Sequence, residues 1–140
     1  MENLEIGRRR PRAGLRAWTP ERLFELFPNL GRMRERPGGL MSGGEQQMLT
    51  IARTLMGNPR LILLDEPSEG LSPLIVEQMG HAIGALKTEG LTVLVAEQNL
   101  HFAAHVAEAA SIIEQGSIAW SGAMADLVAD DRLQARYLAV

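Results

Sequence analysis

Two short apolar runs constrain this chain more than anything else in it: LILL, Leu61 to Leu64, and TVLVA, Thr92 to Ala96. Each has the length of a strand, and each is continuously apolar, the pattern of a strand covered on both faces. Between them, Ser72-Pro73 offers a helix cap with proline at the first helical position, and Val76, Met79, Ile83 and Leu86 recur at helical spacing until Gly90 ends the stretch. Strand, helix and strand joined by short connections predict a parallel crossover unit, and hence an α/β fold.

The rest of the chain reads around that unit. Thr19-Pro20 opens an amphipathic stretch, ERLFELF, which Pro28 is expected to stop, and a polar, glycine-rich connector runs from Gly31 to Gly39. From Gly43, the positions Met48, Ile51, Ala52 and Leu55 form a helical stripe closed by Gly57-Asn58-Pro59. Downstream, SIIEQGSIAW reads as a hairpin turning at Gln115-Gly116, and Met124 to Leu138 as short terminal helices. At 140 residues and 46% hydrophobic content the chain can bury a core without disulfides or a structural metal. It has no cysteine, which excludes thiolate zinc sites and cysteine nucleophiles. MENLEIG lacks the basic and apolar regions of a secretory leader, and no run approaches the roughly 18 apolar residues of a spanning helix, so any membrane role is expected to be peripheral.

Charge is uneven: nine of the thirteen arginines lie between Arg8 and Arg36. A nucleic-acid surface would use Arg8, Arg9, Arg10, Arg12 and Arg16 on phosphates. Pro11 and Gly14 break that run and only Trp18 offers a stacking ring, so a solvated tip is the expectation and no nucleic-acid partner is assigned. His101 and His105 share a helix face, but no third ligand accompanies them, and His81 has no partner pattern.

In an open parallel sheet the chemistry lies beyond the carboxyl ends of the strands. Asp65-Glu66 follows LILL, and Glu97-Gln98-Asn99 follows TVLVA. Paired acids there suit a metal nucleotide: one carboxylate orients Mg²⁺ and its waters, the other takes a proton from an attacking water. Pro67 biases Glu66 towards extended backbone. Upstream, Ser42-Gly43-Gly44-Glu45 fits a capping box at the start of a helix. The same helix end offers unpaired N–H groups, a positive dipole and two glycines, an anion site that needs no lysine.

Together, MSGGEQQMLTIARTLMGNPRLILLDEPSEGLSP resembles the signature helix, Walker B strand and D-loop of ATP-binding-cassette ATPases, and the resemblance runs from MENLEIG to the terminal YLAV. SEGL after DEP, and VAEQNLHFA, resemble the ATPase subunits of branched-chain amino acid importers of the LIV type. The resemblance implies a P-loop NTPase sheet with a helical signature subdomain: residues 1–59 the remnant of that subdomain, 60–140 the C-terminal half of the RecA-like core. It implies ATP and Mg²⁺ as ligands, with Asp65 in the Mg²⁺ shell and Glu66 polarising the water. Ser42, Gly43, Gly44 and Glu45 would meet the γ-phosphate of an ATP held by a second subunit, and Ser68, Glu69, Gly70 and Leu71 would form the D-loop at the dimer interface. Gln98 stands where most members have the switch histidine; its amide can donate to a phosphate but cannot become cationic. Met41 replaces the usual leucine, Glu45 the commoner glutamine, and Ser72 the D-loop aspartate. Implied partners are a second ATPase subunit, transmembrane permease subunits and, indirectly, a substrate-binding protein, at the cytoplasmic face of the membrane.

One motif is missing. Nothing matches GxxxxGK[ST], and Lys87 is the only lysine, so the chain reads as the C-terminal part of a cassette and by itself is expected to be inactive. Two alternatives remain: a non-hydrolysing interaction fragment, and a DNA-repair-type ATPase of the same family, which would carry a long coiled coil before the signature.

Overall fold

The computed structural model describes residues 1–11 and 16–138; Arg12 and Gly14 of the arginine-rich tip, and the last two residues of YLAV, lie outside them. The chain opens with α1 (Glu2–Gly7) and then α2 (Pro20–Leu26), which starts where extended Thr19 accepts the Arg22 N–H at 3.4 Å and Pro20 takes the first helical position. Pro28 does stop α2, but it also starts α3 (Pro28–Arg32), because proline lacks an N–H that the first turn would leave unpaired anyway. The expected connector is correspondingly shorter. Gly31 and Arg32 complete α3, and Gly38–Leu40 form a 3-10 turn.

Helix α4 (Gly43–Leu55) buries Gly44, Met48, Ile51, Ala52 and Leu55, the stripe read from its spacing plus one glycine. Beyond its end, Asn58 turns left-handed at φ 53° and is buried. Its side chain accepts the Trp18 N–H at 2.8 Å and donates to the carbonyls of Arg9 at 2.9 Å and Met56 at 3.2 Å, tying the N-terminal segment to α4.

Strands β1 (Leu61–Asp65) and β2 (Thr92–Ala96) pair in parallel around α5 (Pro73–Thr88), in register from Leu61 opposite Thr92 to Asp65 opposite Ala96. This is the predicted unit, with one correction. The strands are not covered on both faces: Ile62 and Leu64 are buried, but Leu63 and Leu94 are 67% and 61% exposed. Among the described residues the apolar residues of β1 and β2 pack on one side only, so a sequence written for two covers meets one. After α6 (Leu100–Val106), β3 (Ala109–Glu114) and β4 (Ser117–Ala123) form the predicted hairpin, with Gln115 and Gly116 both at positive φ, 48° and 78°, as a tight two-residue turn demands. Helices α7 (Met124–Ala129) and α8 (Asp131–Tyr137) close the chain.

One apolar core runs from Leu4 to Val106, and a smaller one, Ile112, Met124 and Leu127, lies under the hairpin. Phe102, Leu23, Met48, Leu55 and Met79 are among the fully buried side chains, each contributing about 1.5–3 kcal/mol of burial. Some arginines of the basic segment pair within the chain. Arg8 is bidentate to Glu5 at 2.6 Å, and Arg22 lies 4.3 Å over the Trp18 ring while pairing with Glu89 at 2.7 Å. Among the described residues no helix is long and apolar enough to cross a membrane.

Candidate active site

Because β1 and β2 end in register, the residues that follow them leave the sheet side by side. The Glu66 N–H donates to the Ala96 carbonyl at 2.9 Å, one bond past the end of β1. The chain then turns sharply. Glu66 is not extended, as the proline after it suggests, but left-handed at φ 43°. For a residue with a side chain that conformation costs roughly 1–2 kcal/mol. What holds it is the surrounding turn: Pro67 is fully buried, the Glu69 N–H donates to the Glu66 carbonyl at 3.1 Å, and Gly70 supplies the next positive φ, 67°.

Like charges crowd this turn. The side-chain amide of Gln98 donates to the Glu66 carboxylate from the loop after β2. The neighbouring Glu66 carboxylate, through side-chain hydrogen bonding and its charge, together with some desolvation and the Glu97 charge, raises the Glu69 pKa above the ordinary carboxylate value.

The facing wall is the start of α4. Ser42 caps it reciprocally: its hydroxyl accepts the Glu45 N–H at 3.4 Å and its own N–H donates to the Glu45 carboxylate at 2.7 Å, so both halves of the capping box form. The Ser42 N–H holds the Glu45 pKa below the ordinary value. The two glycines do different work. Gly44 is buried, and a Cβ there would lie 2.7 Å from Ile75 Cγ2, so its bareness lets α4 seat on α5. Gly43 has open space around it and faces the cleft.

Between the walls lies an open cleft of about 400 Å³, lined by Gly43, Gln47, Asp65, Glu66, Glu69, Gly70 and Leu71. Six of the residues picked from the sequence therefore meet there. Ser42 and Glu45 are occupied with each other, Gly44 with Ile75, and Gln98 with Glu66; Ser68 is buried, its N–H donating to Glu97 at 3.3 Å. Glu97 was placed at the end of the second strand by the sequence but given no role there, and Gln47 was given none within its motif. Gln47 was findable, since it lies one helical turn after Gly43 on the same face.

Among the described residues no group of three or more His, Asp or Glu forms a metal cage. Asp65 and Glu66 at the cleft suit instead a hard cation held by one or two carboxylates, with its remaining oxygens from water and phosphate. His105 packs over Gly80, with its ring edge-on to His81 at 6.1 Å.

A family model described as ABC transporter matches residues 15–69. The chain is 44% identical over 118 residues, 84% of its length, to the high-affinity branched-chain amino acid transport ATP-binding protein BraG of Pseudomonas aeruginosa, of which that covers 51%. It is 36% identical, also over 84% of its length, to the lipopolysaccharide export system ATP-binding protein LptB of Haemophilus influenzae, covering 48% of that protein. It thus spans about half the length of the curated relatives it matches. Among solved structures, an ATP-binding cassette of an ABC transporter superposes with a TM-score of 0.75 at 27% identity, over 94% of this chain and 59% of the other.

Proposed function

We infer the function of this chain from its membership of the ABC transporter family of ATP-binding proteins: it carries the signature helix and the strand-end carboxylates of an ATP-hydrolysing subunit. The observation that supports this best is the carboxyl end of β1, where Asp65 and Glu66 leave the sheet beside the loop that bears Gln98. Phosphoryl transfer to water asks a protein mainly for positioning and charge stabilisation. Glu66, held by its turn and by the Gln98 amide, is the group to orient the water and accept its proton. Asp65 would hold Mg²⁺, which when bound neutralises charge on the phosphate oxygens. Gly43 and the N–H groups at the start of α4 present the positive end of a helix to a γ-phosphate bound by a second subunit, beside a D-loop of Ser68 to Leu71. On this reading residues 1–59 belong to the helical subdomain and 60–140 to the catalytic core.

The P-loop must come from outside these 140 residues. We expect the chain alone to bind Mg-ATP weakly and not to turn it over. Joined to the P-loop-bearing half of BraG, it should hydrolyse ATP as a dimer; tight Mg-ATP binding by the unextended chain, or an inert fusion that nonetheless folds, would overturn this reading.

The transported substrate follows from similarity alone. The BraG likeness exceeds the LptB likeness, and SEGL and VAEQN accord with it, so import of branched-chain amino acids is proposed over lipopolysaccharide export. Restored growth on leucine of a strain lacking BraG, on expression of the fusion, would support import, and restoration only of an LptB-deficient strain would contradict it. The permease contact falls to the helical region before Met41. There Arg34 lies 4.6 Å over the Phe24 ring beside a small apolar hollow that Arg36 also lines. Reversing both charges should loosen the peripheral attachment to the cytoplasmic face; unchanged co-purification with permease subunits would count against it.

A further inference from the structure

Resting on that reading, we propose that Glu97 is a positioning residue of the hydrolysis step, a clamp that holds the loop bearing Gln98 and the turn bearing Glu66 in fixed relation. Glu97 is the first residue after β2, and its carboxylate reaches in two directions. Oε2 accepts the N–H of Ser68 at 3.3 Å, in the turn that follows Glu66. Oε1 accepts the N–H groups of Gln98 and Asn99, both at 3.1 Å. Asn99 in turn caps α6, its side chain accepting the Phe102 N–H at 3.1 Å, so the clamp is anchored to a helix whose Phe102 is buried.

Electrostatics makes this placement informative. Glu66 and Glu69 already line this turn, and Glu97 reaches into it as a third carboxylate. A carboxylate put there for solubility alone would turn away from its neighbours into water. Glu97 instead spends both oxygens on three backbone donors, two from its own loop and one from the turn across the sheet edge. The effect is directional. Fixing the backbone of Gln98 fixes where its side-chain amide can reach, and that amide donates to Glu66. Fixing Ser68 fixes the turn whose left-handed first residue is Glu66. Past the ends of the strands, the Glu66 N–H ties the two chains backbone to backbone through Ala96, the Gln98 amide ties them side chain to side chain, and Glu97 adds a tie from its carboxylate to the Ser68 backbone.

The test uses the BraG fusion and the 140-residue chain side by side. In the fusion, Glu97→Ala should lower kcat about 10- to 100-fold, the cost of displacing a reacting group by around 1 Å, with KM for Mg-ATP little changed. Glu97→Gln keeps an acceptor oxygen for Gln98 and Asn99 and should recover much of the loss. In a Gln98→Ala background, Glu97→Ala should cost clearly less than it does in the parent fusion, because part of the clamp acts through Gln98. In the 140-residue chain, amide exchange at Ser68, Gln98 and Asn99 should accelerate together on Glu97→Ala. Unchanged kcat, a loss that multiplies fully with Gln98→Ala, or a rise in KM alone would overturn the proposal. A parent fusion that folds without turnover would overturn the ATPase reading, and the three amides would then decide on the clamp by itself: independent exchange rates refute it.

Discussion

The start of α4 and the carboxyl end of β1 face each other across one cleft and are held in opposite ways. At α4 the cap closes on itself and the helix seats without strain: Ser42 and Glu45 cap each other, and Gly44 fits Ile75. At β1 the chain sets a glutamate in left-handed backbone and brings two more carboxylates towards it, one of them with a raised pKa. The first wall would form for stability's sake alone. The second is less stable than the same turn built from glycine and neutral residues, and such local cost is where chemistry is expected to reside.

The comparison breaks most sharply at Glu66. In the fusion, Glu66→Gln should cut turnover by about 10²-fold or more while Mg-ATP stays bound, since an amide cannot take a proton from water; ATPase rate and nucleotide retention measured on the same preparation check it. Next comes Gly44, where valine should cost about 1–3 kcal/mol by denaturant unfolding, because the branched Ile75 side chain cannot yield easily to a Cβ placed 2.7 Å away. Ser42→Ala removes half the capping box and should cost about 1 kcal/mol in the same assay.

Two smaller changes have opposite signs. The Glu45 pKa is lowered in the fold, so its contribution is present at neutral pH and lost as pH falls through that lowered value. The Glu69 pKa is raised, so its charged form is disfavoured: it favours the fold in acid and opposes it once pH rises through the raised value. Glu45→Gln should therefore lower, and Glu69→Gln raise, the melting temperature at neutral pH. Both differences should fade on acidification below the carboxylate range, and melts at several pH values check the signs.

What the sequence disclosed follows the same division. The capping box, the stripe on α4, the crossover and the Gln115-Gly116 turn depend on residues near one another in the chain, and all were legible. The double role of Pro28 was not, because a proline that ends one helix looks the same as one that begins the next. The bare face of the sheet was not, because a continuous apolar run states that both faces want cover, while Leu63 and Leu94 find none among the described residues. The position of Glu97 at a strand end was legible but its role was not, because its reach to Ser68 exists only after β1 and β2 have paired. The left-handed turn at Glu66 ran against the local preference set by Pro67, and a place where local rules fail is where function is to be sought.

The central claim, that Glu66 is placed for chemistry at the expense of the fold, is tested most directly by Glu66→Gly in the 140-residue chain, followed by denaturant unfolding. Glycine enters the φ 43° conformation without strain and removes one carboxylate from beside Glu69, which should outweigh or balance its greater freedom in the unfolded chain. The account predicts a stability unchanged or raised by up to about 1 kcal/mol. A loss of more than about 1 kcal/mol would show that Glu66 supports the structure and would contradict the claim.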